Sequence, residues 1–214
     1  MRIVITCGPS YEPVDEVRRL TNFSTGELGV LLANRLTADG HEVFCLKGEA
    51  ATYTGICTAK RLIPFRTNDD LLQKLQAIAE QGNVGAVLHC AALCDFKVKR
   101  VQNAAGEALT ERKVSSRAGD LTLVLEPASK VISRLRPLFP QAQLIGWKFE
   151  MDGACDDALT KGQQQIRENE TDLCVVNGRA FGQGFAVSDR QAVVASLASK
   201  AALTDWLSAR LSSK

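Results

Sequence analysis

Three separated segments carry residue types that suit the handling of anions. They are Asn22-Phe23-Ser24-Thr25-Gly26, Ala91-Ala92-Leu93-Cys94-Asp95 and Glu111-Arg112-Lys113-Val114. In the first, Ser24 and Glu27 stand at the spacing of a capping box, so a helix is expected to start there. The first N–H groups of that helix, the hydroxyls of Ser24 and Thr25 and the bare backbone of Gly26 would cradle an anion. The alternative is a well-capped helix that binds nothing. In the second segment, Ala91 and Ala92 let a ligand come close to the backbone. Asp95 could accept from a ribose or base, or hold magnesium through water, or be a solvated turn residue. In the third, Lys113 is either a solvated surface lysine or a cation that closes over a phosphate. Removing one such donor commonly costs about 10²–10³ in rate. A dinucleotide fingerprint is missing, because Gly8 is followed by Pro9 and Ser10 and the next glycine is Gly26.

The elements that must position these segments are legible from hydrophobic runs. Strands are expected over Ile3 to Cys7, His41 to Leu46, Leu62 to Phe65, Val84 to Cys90, Leu121 to Leu125, Gln143 to Gly146 and Leu173 to Val176, with a short one at Val193 and Val194. Between them, Leu28, Leu31, Leu32 and Leu36 fall on one helical stripe, as do Leu71, Leu72, Leu75 and Ile78. Leu203, Trp206, Leu207 and Leu211 mark a C-terminal helix. Continuous apolar strands separated by amphipathic helices imply a mostly parallel sheet covered on both faces. The expected class is α/β, a Rossmann-like three-layer sandwich, as a single domain over residues 1–214. Residues 97–117 are polar and without sustained periodicity, and are expected to form an irregular flap. In such a sheet, ligands collect beyond the carboxyl ends of the strands.

Composition narrows the function. With 26 basic and 24 acidic residues the net charge is +2, and only 6% of residues are aromatic. Neither a nucleic-acid surface nor an anionic membrane is indicated. Nowhere do 18 apolar residues run together. Seven cysteines, an odd number with no C-x-x-C pair, fit free thiols in a reducing cytoplasm rather than a disulfide framework or structural zinc.

Several pieces in order resemble the phosphopantothenate–cysteine ligase family. They are Glu12-Pro13-Val14-Asp15 with Val17-Arg18, Thr21 through Gly26, Ala91 through Phe96, Gly146-Trp147-Lys148-Phe149-Glu150, Val176-Asn177, and Gly184-Phe185 with Ser188-Asp189. The resemblance implies a cytoplasmic, dimeric enzyme that joins 4′-phosphopantothenate to L-cysteine through an acyl-nucleotidyl intermediate, with CTP or ATP and magnesium. It implies no tightly bound flavin in this chain, and a separate flavin-dependent decarboxylase as a partner. Asn22 would hold the acyl intermediate and Lys113 would be the flap cation. Arg18, Ser24, Thr25, Gly26, Ala91 and Ala92 would meet the substrate. Gly8, Ser10, Cys90, Asp95, Pro127, Ala128, Ser129, Lys130, Trp147, Asn177 and Phe185 would meet the nucleotide. No side chain would ligate the metal directly.

Two departures stand out. The family's Lys-x-Lys-Lys flap motif reads Lys113-Val114-Ser115-Ser116, and its later Lys-x-x-x-Lys pair falls on Gln164 and Glu168, with Lys161 and Arg167 nearby. They keep open a non-catalytic nucleotide- or flavin-binding homologue; a nicotinamide-dependent reductase is a third reading, disfavoured by the missing dinucleotide fingerprint.

Overall fold

The structure, a computed structural model, describes residues 1–212. Ser213 and Lys214, the end of the expected domain, lie outside the described residues. In chain order the elements are β1 (Arg2–Cys7), β2 (Tyr11–Pro13), β3 (Arg19–Thr21), α1 (Glu27–Ala38), β4 (Glu42–Gly48), β5 (Arg61–Phe65), α2 (Asn68–Ala79) and β6 (Val84–His89). Then come β7 (Phe96–Gln102), β8 (Ala108–Leu109), β9 (Thr122–Pro127), α3 (Leu135–Leu138), β10 (Gln143–Phe149), α4 (Cys155–Asn169), β11 (Leu173–Asn177), β12 (Phe185–Ser188), β13 (Val193–Leu197) and α5 (Lys200–Ser212).

The main sheet runs β13-β12-β11-β10-β6-β1-β4-β5. From β5 to β11 every neighbouring pair is parallel, while β12 and β13 are antiparallel. The central strands are apolar on both sides because both sides are covered. Ile3, Ile5 and Cys7 of β1 pack with Val30, Leu36, Leu203 and Leu207 of α1 and α5. Val4 on the opposite side packs with Leu71, Leu75 and Ile78 of α2 and with Leu135. Ala158 and Ile166 of α4 extend that second layer over Cys174 and Val176. Each buried valine, leucine or isoleucine among them contributes about 1.5–3 kcal/mol, which explains why the sequence forms three layers.

Chain order steps outward from β1 through β4 to β5, then returns to the other side of β1 at β6. The junction of β1 and β6 is therefore the topological switch point, where the loops leave a crevice at the carboxyl ends.

Four local expectations need correction. Leu121 to Leu125 does not continue the parallel sheet: β9 pairs antiparallel with β7, in a separate three-stranded sheet with β8. The segment 97–117 is accordingly not irregular throughout. Its alternation of Phe96, Val98 and Val101 against Lys97 and Arg100 is masked by a register shift between Val98 and Arg100, which hides a period of two. The β2–β3 hairpin and β12 have no counterpart among the expected strands, being only three and four residues long. Finally, the capping box does not form. Helix α1 starts two residues later, with Gly26 as N-cap at φ +77° and no side-chain cap bond.

Candidate functional site

The loops that leave β1 and β6 stay joined after the sheet ends. Ala92 N–H donates to Gly8 O (3.0 Å), Ser10 N–H to Ala92 O (3.2 Å) and Cys94 N–H to Ser10 Oγ (2.8 Å). Gly8 has φ +76°, and a Cβ there would stand 2.7 Å from the Cβ of Ala51. Gly26 backs onto the same point, where a Cβ would lie 3.3 Å from the backbone of Gly8. The two glycines thus let the start of α1, with its first-turn N–H groups, approach the end of β1 at the crevice. Thr25 Oγ1 accepts from Glu27 N–H (3.2 Å).

The β2–β3 hairpin folds back over this loop pair. Thr21 Oγ1 donates to Ser10 O (2.7 Å), and the next residue, Asn22, donates from Nδ2 to Leu93 O (2.8 Å). That bond places the Asn22 amide over the β6 loop, two residues before Asp95. Asp95 is exposed, and its carbonyl accepts from Ala128 N–H (2.9 Å). Asn22, Ala91, Ala92, Asp95 and the turn Pro127 to Lys130 therefore share one rim of the sheet. Asn68 holds this rim together, donating from Nδ2 to Cys94 O (2.8 Å) and Ser129 O (3.0 Å). Nothing in the sequence marks that role beyond its place as the first residue of α2.

Lys113 lies farther out. Its neighbours Arg112 and Val114 bond to the turn between β2 and β3, whereas Asn22 follows the other end of β3. The three residues of that strand separate the two, roughly 10 Å at ordinary strand rise. The structure brings Asn22 and Asp95 together and leaves Lys113 a strand's length away, exposed. Arg18, expected at the substrate, is occupied. It donates to Val114 O and pairs with Asp15 at 3.0 Å.

Three expected nucleotide contacts face inward. Ser10 is fully buried, with its hydroxyl committed to Cys94, so it shapes the loop. Cys90 donates to Thr6 O, and its sulfur sits beneath α1. Phe185 is buried in the core beneath α5. A motif match conveys position in the chain, while the packing around it decides which way each side chain points. Trp147 is partly buried against the same core layer, and its Nε1 has no partner. Asn177 O accepts from Glu150 N–H (2.9 Å).

A cavity of about 340 Å³ opens beside β10, lined by Lys130, Lys148, Glu150, Lys161, Gln165 and Glu168 among others. Three cations from three elements meet there. Glu150 pairs with Lys148 (3.1 Å) and Lys161 (2.5 Å), while Glu168 faces Lys130 (3.9 Å) and accepts from Gln164 (2.6 Å). Burial raises the Glu150 pKa, but bonds from Lys161 and Lys148 outweigh it and hold the carboxyl below its ordinary range. The amide nitrogen of Gln165 is buried without a partner. That Lys148 and Lys161 meet is not visible in the sequence, because they lie 13 residues apart on a strand and a helix. Alternation alone would have turned Lys148 away from Trp147 and toward α4.

Comparisons with known proteins agree with this architecture. Over 183 residues the chain is 28% identical to the coenzyme A biosynthesis bifunctional protein CoaBC of Thermococcus kodakarensis, covering 85% of this chain and 42% of that protein. The chain thus spans less than half the length of that relative. The DNA/pantothenate metabolism flavoprotein of Streptococcus pneumoniae superimposes with a TM-score of 0.86 at 22% identity, covering 100% of this chain and 99% of that one. A Cab2 mutant in complex with phosphopantothenate-cysteine gives 0.72 at 19% identity, covering 99% and 85%. At these identities the structural likenesses establish the fold. Residues 1–210 match the family model described as the DNA/pantothenate metabolism flavoprotein C-terminal domain, and the chain belongs to that family.

Proposed function

We propose that this chain is a ligase that joins 4′-phosphopantothenate to L-cysteine through an acyl-nucleotidyl intermediate. It uses CTP or ATP with magnesium, in the cytoplasm, as one domain with a flap over about residues 97–117. Family membership supports the class of reaction, and the ligand held by the Cab2 mutant supports the substrates. The observation that carries the reading is the bond from Asn22 to Leu93 O, which sets a neutral amide over the switch-point loop beside the N-terminus of α1.

A substrate carboxylate oxygen attacks the α-phosphorus of the triphosphate, an O–P bond forms, and pyrophosphate leaves with the electron pair. The cysteine amine then attacks the acyl carbon. The amide forms, the amine loses a proton, and the nucleoside monophosphate departs. The substrate's own phosphate sits at Ser24, Thr25 and Gly26. Asn22 orients the acyl phosphate without reacting, Asp95 holds the nucleoside near Ala91 and Ala92, and Lys113 meets developing negative charge. Lys130, Lys148 and Lys161 receive the departing pyrophosphate. Among the described residues no group of three or more His, Cys, Asp or Glu could hold a metal ion. Magnesium would be held by the nucleotide's own oxygens and water, as its preference for phosphate allows.

The seven cysteines are free thiols, as a reducing compartment favours. Among the described residues no helix is long and apolar enough to cross a membrane. The ligation product would pass to a flavin-dependent decarboxylase.

The test is pyrophosphate release with each triphosphate in turn. It is expected only when phosphopantothenate, nucleotide and magnesium are all present. A second reading, nucleotide binding without turnover, draws on the pairing of all three cavity lysines with Glu150 and Glu168. Saturable nucleotide binding with no pyrophosphate at enzyme excess would favour it.

The lysine cavity makes its own prediction. Charged hydrogen bonds contribute about 1.5–3 kcal/mol each, and less where solvent reaches them. Lys148→Ala and Lys161→Ala should each raise the nucleotide KM roughly tenfold and leave the KM for cysteine unchanged. Steady-state kinetics with varied nucleotide would show this, and an unchanged nucleotide KM in both would remove the cavity from the site.

The small sheet bears on assembly. The pairs Phe96–Pro127, Val98–Leu125 and Val101–Leu123 put one apolar strip on a single face, with Phe96 51% and Leu125 41% exposed. Such a face on a soluble protein marks a contact, and we assign it to a second copy of this chain. Leu125→Arg should convert a dimer to a monomer in sedimentation velocity. A wild-type protein that sediments as a monomer at assay concentration would contradict the assignment.

A further inference from the structure

The turn between β2 and β3 carries a carboxylate that the mechanism above does not use. Asp15 is at its tip, with only 2% of its side chain exposed. Its Oδ1 accepts the N–H groups of Val17 (2.9 Å) and Arg18 (2.8 Å), closing the turn. Its Oδ2 accepts the N–H of Val114 (3.2 Å) and faces the Arg18 guanidinium at 3.0 Å. Arg18 in turn donates from Nη2 to the carbonyl of Val114.

On the other side, Glu16 N–H donates to Arg112 O (2.9 Å), and the Arg112 guanidinium pairs with the Glu16 carboxylate at 3.3 Å. Both neighbours of Lys113 are thus bonded to one turn, and Val114 is buried against it. Lys113 itself is exposed and makes no ion pair among the described residues.

We propose that Asp15 is a positioning residue: its buried carboxylate, together with Arg18, latches Arg112 to Val114 onto the hairpin turn and so fixes where Lys113 presents its ammonium. This rests on Lys113 being the flap cation of the proposed ligase. The rest of the flap gives the latch its importance. Between β8 and β9 the chain has only one helical turn, Ser116–Ala118, as regular structure. A segment so sparsely bonded keeps its conformational freedom unless something fixes it. The assignment also gives Arg18 a different duty from substrate contact. Its Nη2 reaches both the Asp15 carboxylate and the Val114 carbonyl, so a neutral side chain at this position would release both.

Asp15→Asn tests the latch with little change in shape. An asparagine Oδ1 can keep both bonds that close the turn, while its Nδ2 then faces the Val114 N–H, donor against donor. Limited trypsin digestion of the folded protein should cleave after Arg112 and Lys113 roughly tenfold faster than in wild type, as local opening becomes easier. Thermal unfolding should stay nearly unchanged. In the pyrophosphate assay kcat should fall roughly tenfold from misplacement of the cation, with the nucleotide KM within about twofold. The double variant Asp15→Asn/Lys113→Ala should be no slower than Lys113→Ala alone, since Asp15 acts through Lys113. Should Asp15→Asn fail to fold, Arg18→Met, which removes both contacts of Nη2, is expected to give the same faster cleavage.

Unchanged cleavage in a folded Asp15→Asn protein would overturn the latch. Additive losses in the double variant would overturn the route through Lys113. Full turnover in Lys113→Ala would instead overturn the ligase reading of Lys113, and the cleavage rates would still decide the latch.

Discussion

Lys113→Ala is expected to lower the rate of pyrophosphate release by about 10²–10³-fold, the usual cost of removing one donor from a site of developing negative charge. The size of the effect follows from the family's flap motif. Here Val114, Ser115 and Ser116 follow Lys113, so the second and third lysines of that motif are absent. The same change should hardly alter stability. Lys113 is exposed and makes no ion pair among the described residues, and substitutions at such positions are usually within about 0.5 kcal/mol of neutral. Stopped assays and a thermal melt of the same preparation give both readings. A large loss of melting temperature would make Lys113 structural, and unchanged turnover would leave it a solvated surface lysine.

Acid sensitivity centred on His89 is the second large effect. His89 closes β6, 6% exposed, with Nδ1 at 2.8 Å from Thr6 Oγ1. Burial pushes its pKa from 6.5 down to about 4. The folded protein therefore holds this ring neutral in a range where the unfolded chain protonates it, and stability rises with pH wherever the unfolded state binds more protons. The contribution is complete above about pH 6.5 and is lost progressively as pH falls toward 4. Between pH 7 and pH 4.5 the loss should be about 2.5 kcal/mol at 1.36 kcal/mol per unit.

Burial also lowers the pKa of His41, adding to the trend. Burial raises the pKa of Glu12, opposing it. Asp15 and Asp70, held low, act essentially below this window, whereas Glu42 and Glu150, held below 4.5, add a little to the loss at its acid end. Urea unfolding at the two pH values should show the drop in wild type and a much smaller one in His89→Gln. An equal drop in both would assign the acid sensitivity to other groups.

The layered core was legible because burial dictates it. Apart from the paired Thr6 and His89, Ile3 to Cys7 and Val84 to His89 are free of polar side chains since helices cover both faces, and the leucine stripes of α1 and α2 have no other use. What escaped notice was short or bent. Tyr11 to Pro13 and Arg19 to Thr21 are too brief to show a period. The register shift beside Val98 hid β7, and β9 carries an apolar strip that looks like a buried strand although it faces outward.

The site divides along the same line. Asn22, Ala91, Ala92 and Asp95 follow motifs at strand ends, where topology brings loops together. Ser10, Cys90 and Phe185 sit in matching motifs but point inward. Lys148 and Lys161 become neighbours only through the packing of α4 on β10, and Asp15 meets Val114 only through the docking of the flap. Contacts of that kind have no local signature.

The central claim is that one rim, from Asn22 to Asp95 and on to the lysine cavity, performs nucleotidyl transfer to a carboxylate. The most direct measurement is mass spectrometry of enzyme quenched after mixing with phosphopantothenate and magnesium nucleotide in the absence of cysteine. The account predicts an acyl-nucleotidyl species that approaches one per subunit and disappears when cysteine is added. Intact triphosphate as the only nucleotide, with the enzyme in excess, would contradict it.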